Sequence, residues 1–526
     1  MRRPSSVDLV RLFLWGATLA GFVGALPAAD RPNILWIIAE DLGPDLHCYG
    51  VKAVRTPTLD RMAARGTMFR YAFTVCPVCS TSRSAFCTGM YATTIGSHQH
   101  RTPPSRKPRL PEGVRLVTDW LRDAGYFTAN IRWKDGQRFG TGKTDWNFRV
   151  EGKPFDSDRW EDLPRNQPFY AQINFSQTHR PFTAPRYVRP EHVLLPPYYP
   201  DVPLCRQDWA AYLDEAVELD HLVAEVLRSL EKNGLAENTI IFFFGDNGRA
   251  HVRGKQWCYD SGLRVPLIVY IPDRWCDLAL YRKGQVDKRL VEAIDITATT
   301  LALAGVRKPP KMQGRVLFGP WAEPEREYVF GTRDRCDMTS FRIRTVRDRH
   351  YRYIRNYTPD RPFFALNLYK ERSYPMIIAI RELHRQGRLT PVQARLLDMT
   401  MPPEELYFLD EDPYETVNLV GSHDPRHREA LNRLRAKLDE WIATTGDKGA
   451  EPEPPEVALD YLRQGLRRRS SPDFLRRIRA LARQHLSSPE IGPEYREFLQ
   501  KAIPIIEEEL RAAETRQRPV RRRRRR

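Results

Sequence analysis

Cysteine is scarce in this sequence, with eight residues in 526. They are scattered, which excludes a small domain held together by a dense disulfide framework. Cys48, Cys76, Cys79 and Cys87 cluster early, while Cys205, Cys258, Cys276 and Cys336 lie far apart, a spread compatible with one or two bridges. Long apolar runs are missing beyond the first thirty residues, which excludes a later membrane span. No internal repeat is present, so a solenoid or propeller is excluded as well. A P-loop is also lacking: Gly142-Lys143-Thr144 looks like its end, but Gln137 stands where the first glycine is required. Cys76-Pro-Val-Cys79 is a C-x-x-C without a thioredoxin-like unit around it. His98 and His100 are spaced too tightly for a zinc finger.

What remains is the composition of a globular protein, 41% hydrophobic and 29% charged, long enough for two to four domains. The net charge of +18 is unevenly placed. Arg516, Arg518 and Arg521 to Arg526 supply eight charges, and the first 29 residues supply a net two, so the body carries +8. That modest excess suits an anionic substrate, and no nucleic-acid partner is expected. Residues 1–29 read as an export signal. Arg2 and Arg3 precede an apolar stretch over 12–26, shorter than the roughly 20 residues of a span, and Ala28-Ala29 suits cleavage. The mature chain is therefore expected in the periplasm or outside the cell, without a membrane span.

Asn33-Ile-Leu-Trp-Ile-Ile-Ala39 and Thr239-Ile-Ile-Phe-Phe-Phe244 are continuous apolar runs, and residues 168–175 form a third. Such runs mark strands buried on both faces, as in a parallel sheet. Helical patterns over 58–65, 114–124 and 209–232 alternate with them, which predicts an α/β fold of stacked layers. Near residue 330 the texture changes to short strands, over 328–331, 341–346, 350–356 and 406–409, that suggest a smaller antiparallel sheet. Residues 376–385 and 391–397 read as a helical insertion. The expected organisation is a signal at 1–29, a catalytic α/β domain at 30–330 and an α+β subdomain at 331–450. A helical extension follows at 451–514, entered through a Pro- and Glu-rich linker at 451–455, and then a basic tail at 515–526.

Both of the best strands end in acidic and amide groups: Glu40-Asp41 after the first, Asp246-Asn247 after the other. Ligands of open α/β sheets bind beyond the carboxyl ends of strands. Three carboxylates and a carboxamide meeting there call for a hard cation, calcium before magnesium. The second constellation is Cys79-Ser-Thr-Ser-Arg83 followed by Ser84-Ala-Phe-Cys-Thr-Gly89. Ser82 is expected to cap a short helix that Gly89 ends, placing Cys79 beside an anion-attracting helix start. Arg83 adds a guanidinium fork suited to tetrahedral oxyanions.

These residues resemble the formylglycine-dependent sulfatases of the alkaline-phosphatase superfamily, whose signature Cys-x-Pro-Ser-Arg stands here as Cys79-Ser-Thr-Ser-Arg83. The likeness spans roughly 31–419. It takes in Pro32-Asn-Ile-Leu35, Gly245-Asp-Asn-Gly248, Gly262-Leu-Arg-Val-Pro266, Glu405-Leu-Tyr407 and Asp412-Pro-Tyr-Glu-Thr-Val-Asn-Leu419. The resemblance implies an alkaline-phosphatase-like layered sandwich with a central mixed, mostly parallel sheet and a smaller C-terminal antiparallel sheet. It implies that a formylglycine-generating enzyme converts Cys79 to formylglycine. One oxygen of the hydrated aldehyde attacks sulfur, and the other then collapses the diol to release sulfate. Glu40, Asp41, Asp246 and Asn247 match the calcium ligands. Lys143 and Lys255 match the sulfate-binding lysines, and His179 matches the acid for the leaving oxygen. His98 and His100, in Gly96-Ser-His-Gln-His-Arg101, are expected to line the pocket.

Two positions depart from the family pattern. Thr81 replaces the signature proline, and Asp145 stands where a histidine usually contacts the formylglycine, so Asp145, His98 or His100 takes that role. Leu195-Pro-Pro-Tyr-Tyr-Pro-Asp201 and the 209–220 stretch are similar to the N-sulfoglucosamine sulfohydrolase branch, which points to a sulfated glycan or small sulfate ester, O- or N-linked. A phosphodiesterase or phosphonate hydrolase of the same superfamily, and an inactive sulfatase-like glycan-binding protein, are the alternatives.

Overall fold

The structure, a computed structural model, describes residues 31–134, 137–451, 453–467 and 470–517. The expected export signal, and the basic tail from 518 on, lie outside the described residues.

The larger of two sheets contains β1 (Asn33–Ala39), β2 (Thr67–Phe73), β3 (Phe127–Ile131), β4 (Phe169–Phe175), β5 (Thr239–Gly245), β6 (Arg264–Tyr270) and β7 (Gln285–Glu292). Their order is β3-β4-β1-β5-β6-β2-β7. β1 runs parallel to both neighbours, β4 and β5. β6 alone is antiparallel to the strands beside it. This is the mixed, mostly parallel sheet that the resemblance implied, with the doubly buried strands that the apolar runs announced. β1 is apolar throughout because both of its faces are covered. Ile34, Trp36 and Ile38 enter one core, while Leu35, Ile37 and Ala39 enter the other. Helices Cys79–Phe86, Val117–Asp123 and Ala293–Leu303 close the first face, and helices Pro57–Arg65 and Pro203–Lys232 close the second.

The smaller sheet is antiparallel, in the order β11-β10-β9-β8, from β8 (Val329–Arg333), β9 (Ile343–Arg347), β10 (Tyr351–Asn356) and β11 (Glu404–Phe408). Val346, Tyr353 and Leu406 share a third core with Leu434, Leu438 and Trp441 of helix Pro425–Thr445. The insertion before β11 is helical as expected, with helices Pro375–Arg385 and Pro391–Ala394.

Three features add to the sequence reading. All eight cysteines are free thiols, so the one or two bridges that their spacing allowed are not formed. Within the stretch read as a linker, Glu453 pairs with the buried Arg335. The last helix runs on to Gln517, into the first three residues of the stretch read as a tail.

Helices Pro455–Arg467, Pro472–Ser487 and Pro493–Gln517 each begin with proline, whose fixed φ suits a first turn. Leu462, Leu475, Ile478 and Leu499 of these helices belong to the same core as Leu35 and Ile37 of β1. The C-terminal helices are thus part of the body. Leu462 is fully buried, and Leu462→Ala is expected to destabilise the whole protein by about 2–5 kcal/mol. Thermal unfolding should show one lowered midpoint. An early transition confined to a helical unit, with the rest unmoved, would contradict the shared core. Among the described residues no helix is long and apolar enough to cross a membrane.

Candidate active site

Ala39 of β1 pairs in register with Gly245 of β5. The residues that follow each strand therefore emerge together at the carboxyl edge of the sheet. Asp41, in the left-handed region at φ 53°, donates its N–H to Asp246 Oδ1 at 2.9 Å. Asn247 Nδ2 donates to Asp41 Oδ1 at 2.9 Å. Glu40, Asp41 and Asp246 are buried, and three cations answer them. Lys143 Nζ lies 2.8 Å from Glu40 Oε2, Lys255 Nζ 2.8 Å from Asp41 Oδ2, and Arg83 Nε 2.9 Å from Asp246 Oδ2. Burial pushes the Asp41 carboxyl up, but Lys255 and its neighbours prevail and hold it at about 2. Asp246 goes the other way. Burial, helped by the two nearby carboxylates, raises it above its ordinary value despite Arg83.

Helix Cys79–Phe86 starts at Cys79 itself, after Val78 in extended backbone. Ser82 is therefore not its cap. It sits within the helix, and its Oγ bonds to Thr74 Oγ1. Thr81, at the signature-proline position, turns its hydroxyl back to the Val78 carbonyl at 3.0 Å. Cys79 Sγ lies 3.5 Å from Asp41 Oδ1 and is sealed from solvent. Burial pushes its thiol up to about 12, against the pull of Lys143 and Lys255. At neutral pH it stays protonated, so it is no ready thiolate nucleophile. Arg83 also donates to Asn174 Oδ1, and its Nη2 is buried without a hydrogen-bond partner among the described residues.

The histidines divide. His179 Nδ1 bonds to the Arg180 carbonyl at 2.6 Å. A carbonyl only accepts, so Nδ1 carries the proton and Nε2, 3.8 Å from Asp41 Oδ2, faces the cluster. Lys255, then burial, lowers the pKa of this ring. His100 also belongs to the cluster. Ser80 Oγ accepts from Asn147 Nδ2 and from the Arg101 N–H, both at 3.1 Å, so its own proton goes to His100 Nδ1 at 2.8 Å. The His100 Nε2–H then points toward Asp337 at 3.7 Å. His98 does not line the cavity walled by Lys255, in which His100 and His179 both take part. It is buried with Asp334, Arg344 and Asp447 as its charged neighbours, and burial lowers its pKa. Asp145 lies 3.6 Å from Lys143 and 3.9 Å from Arg83 and is held below its ordinary value by them despite burial.

Four residues of this region were given no role by the sequence reading. Ser80 and Asn147 fix the loop over the signature helix, with Asn147 also donating to the Ser97 carbonyl at 3.2 Å. The ring of Tyr369 lies 6.2 Å from that of His179 and 5.6 Å from Lys255 Nζ. Tyr461 comes from the C-terminal helices. Ser80 is set by its place beside Cys79 on the signature helix, while Asn147, Tyr369 and Tyr461 are brought in by long-range packing, which no local motif encodes.

Oxygens from Asp41 and Asp246 and the Cys79 sulfur lie within 4.8 Å of one another. Asn247 Oδ1 is buried beside them without a hydrogen-bond partner among the described residues. Three carboxylates and an orphaned carboxamide oxygen form a donor set that fits a hard divalent cation.

The sulfatase family profile matches residues 32–306, and the profile of the N-sulphoglucosamine sulphohydrolase C-terminal region matches 248–379. The chain is similar to an ulvan-active sulfatase of Formosa agariphila, 32% identical over 476 residues, covering 81% of this chain and 77% of that one. It is similar also to human N-sulphoglucosamine sulphohydrolase, 28% identical over 471 residues, with 79% and 91% covered. In fold it resembles a solved 2-O GAG sulfatase, with TM-score 0.56 and 20% identity over 82% of this chain and 96% of the other. A phosphonate monoester hydrolase from Silicibacter pomeroyi is as near, with TM-score 0.57 and 18% identity over 80% and 97%. The layered α/β fold is alkaline-phosphatase-like, with a buried charged site at the carboxyl edge of the sheet. The chain belongs to the sulfatase family, near its N-sulphoglucosamine sulphohydrolase branch, and is an enzyme of that class.

Proposed function

We propose that the protein removes sulfate from a sulfated glycan, with Cys79 matured to formylglycine and a calcium ion held by Glu40, Asp41, Asp246 and Asn247. The observation that carries this reading is the setting of Cys79. A thiol at a helix start, sealed and protonated, faces two lysines, an arginine and three carboxylates. It is a poor nucleophile as it stands and well placed as the precursor of an aldehyde hydrate. The ion is supported by the all-oxygen donor set and by the unpartnered Asn247 Oδ1. When present, the hydrated aldehyde supplies the attacking oxygen and the ion withdraws charge from the sulfuryl oxygens.

The chain's own side chains do the rest. Lys143 and Lys255 exchange Glu40 and Asp41 for sulfate oxygens and neutralise charge that builds during transfer. Arg83 keeps the Asp246 carboxylate in place. His179, its Nδ1–H committed to a carbonyl, faces the cluster with Nε2, which takes up a proton to form the imidazolium and passes it to the departing oxygen. Asp145 orients Lys143 and Arg83. His100, anchored by Ser80, turns Nε2–H toward the cavity wall.

The glycan is supported by the names of the relatives, an ulvan-active sulfatase and an N-sulphoglucosamine sulphohydrolase. Protein co-expressed with a formylglycine-generating enzyme should give a Cys79 peptide bearing an aldehyde in mass spectrometry. It should also release sulfate from members of a defined panel of O- and N-sulfated glycans. A free thiol with glycan binding but no turnover would make it a binding protein. Faster cleavage of aryl phosphonates or phosphodiesters than of aryl sulfates would make it a phosphonate hydrolase or phosphodiesterase.

A further inference from the structure

A cavity of about 440 Å³ opens over the site, with His100, His179 and Lys255 among its walls. Part of the wall comes from the far end of the chain: Tyr461, Gln464 and Gly465 of helix Pro455–Arg467. This helix is pinned to the loop that carries the histidine. Arg335 donates to the carbonyls of His100, at 3.0 Å, and Asp337, at 2.8 Å, pairs with Glu453, and lies 4.8 Å from the Tyr461 ring centroid. Gly465 lets the helix approach closely, since a Cβ there would come within 2.8 Å of Leu368 Cδ1. Across the cavity Arg372 is held by the Gly465 carbonyl at 3.3 Å and by Ser470 Oγ at 3.1 Å.

One cation on this wall is unspent. Arg101 sits in the left-handed region at φ 56°, its N–H fixed to Ser80 Oγ. Its guanidinium makes no hydrogen bond or ion pair among the described residues. The nearest acid, Asp337, is already engaged by Gln256 Nε2 at 3.1 Å and faces His100. An unpaired guanidinium fork beside a fixed aromatic ring is the chemistry that recognises an anionic sugar.

We infer that the C-terminal helices complete a subsite beside the reacting sulfate, in which Tyr461 flanks a pyranose ring and Arg101 binds a carboxylate or second sulfate on it. The preferred substrate is then a saccharide with a second anion on the neighbouring sugar. This rests on the sulfatase reading above.

The test uses the full-length matured protein and three disaccharides carrying the same scissile sulfate. The neighbouring sugar is neutral in the first, a uronic acid in the second and sulfated in the third. The wild type should prefer one doubly anionic compound by about tenfold in kcat/KM, as a charge-assisted pair allows, and the favoured arm names the anion. Arg101→Gln should reduce that preference to about twofold, mainly through KM, with Arg101→Lys intermediate. Tyr461→Ala should lower kcat/KM on all three disaccharides relative to an aryl sulfate by about fivefold. Thermal melting confirms that each variant is folded. Cleavage of all three compounds without preference, or a preference that survives Arg101→Gln, would overturn the subsite and leave the sulfatase reading intact. A wild type with aldehyde and ion that cleaves no sulfate, aryl sulfate included, would overturn both.

Discussion

Cys79→Ala is expected to slow sulfate release by at least about 10⁴-fold, because it removes the atom on which the nucleophile is built rather than one that assists it. The fold should survive. Cys79 forms no disulfide, it occupies the first position of its helix, and alanine is a good helix former there. Among the described residues the thiol's one hydrogen bond is the 3.5 Å approach to Asp41. Released sulfate measured alongside the melting temperature separates the two effects. Residual turnover within tenfold of the wild type would mean that Cys79 is not the nucleophile's source.

The second large effect is expected from metal removal. Exhaustive calcium chelation of the matured protein should cut turnover by roughly 10³-fold and lower the melting midpoint by several degrees. Calcium should restore both better than magnesium. In the geometry described here Lys143 and Lys255 lie on Glu40 and Asp41. A divalent ion held by those carboxylates would free the lysines for the substrate. Without it the lysines remain with their carboxylates, so the loss should appear in both kcat and KM. The cluster stays neutralised, so the ion-free protein should remain folded. Full activity in protein shown to be metal-free would exclude the ion from the reaction.

Legibility followed the range of each interaction. β1 and β5 were readable because strands covered on both faces must be apolar throughout. The acids at their ends were readable because they are adjacent in sequence to those strands. Arg83 was read from its guanidinium chemistry, Lys143, Lys255 and His179 were placed through resemblance, and the structure brings all four within one cluster. His98 and His100 sit two residues apart in an irregular loop, where spacing fixes no direction, and only His100 turns to the cavity. Ser82 had the chemistry of a cap, but the extended backbone of Val78 starts the helix earlier and the hydroxyl is taken by Thr74. Arg101 and Tyr461 were invisible because 360 positions of chain separate them and only tertiary packing brings them to the same cavity.

Helix Pro455–Arg467 is tied by Arg335 to the loop behind Ser80 and by its leucines to the central core. The strands fix the acids while a different, later-translated stretch borders the opening. Drift in that closing stretch can therefore retune which polymer is admitted while leaving the bond-breaking apparatus untouched, and a nascent chain has no finished gate until its final helices emerge.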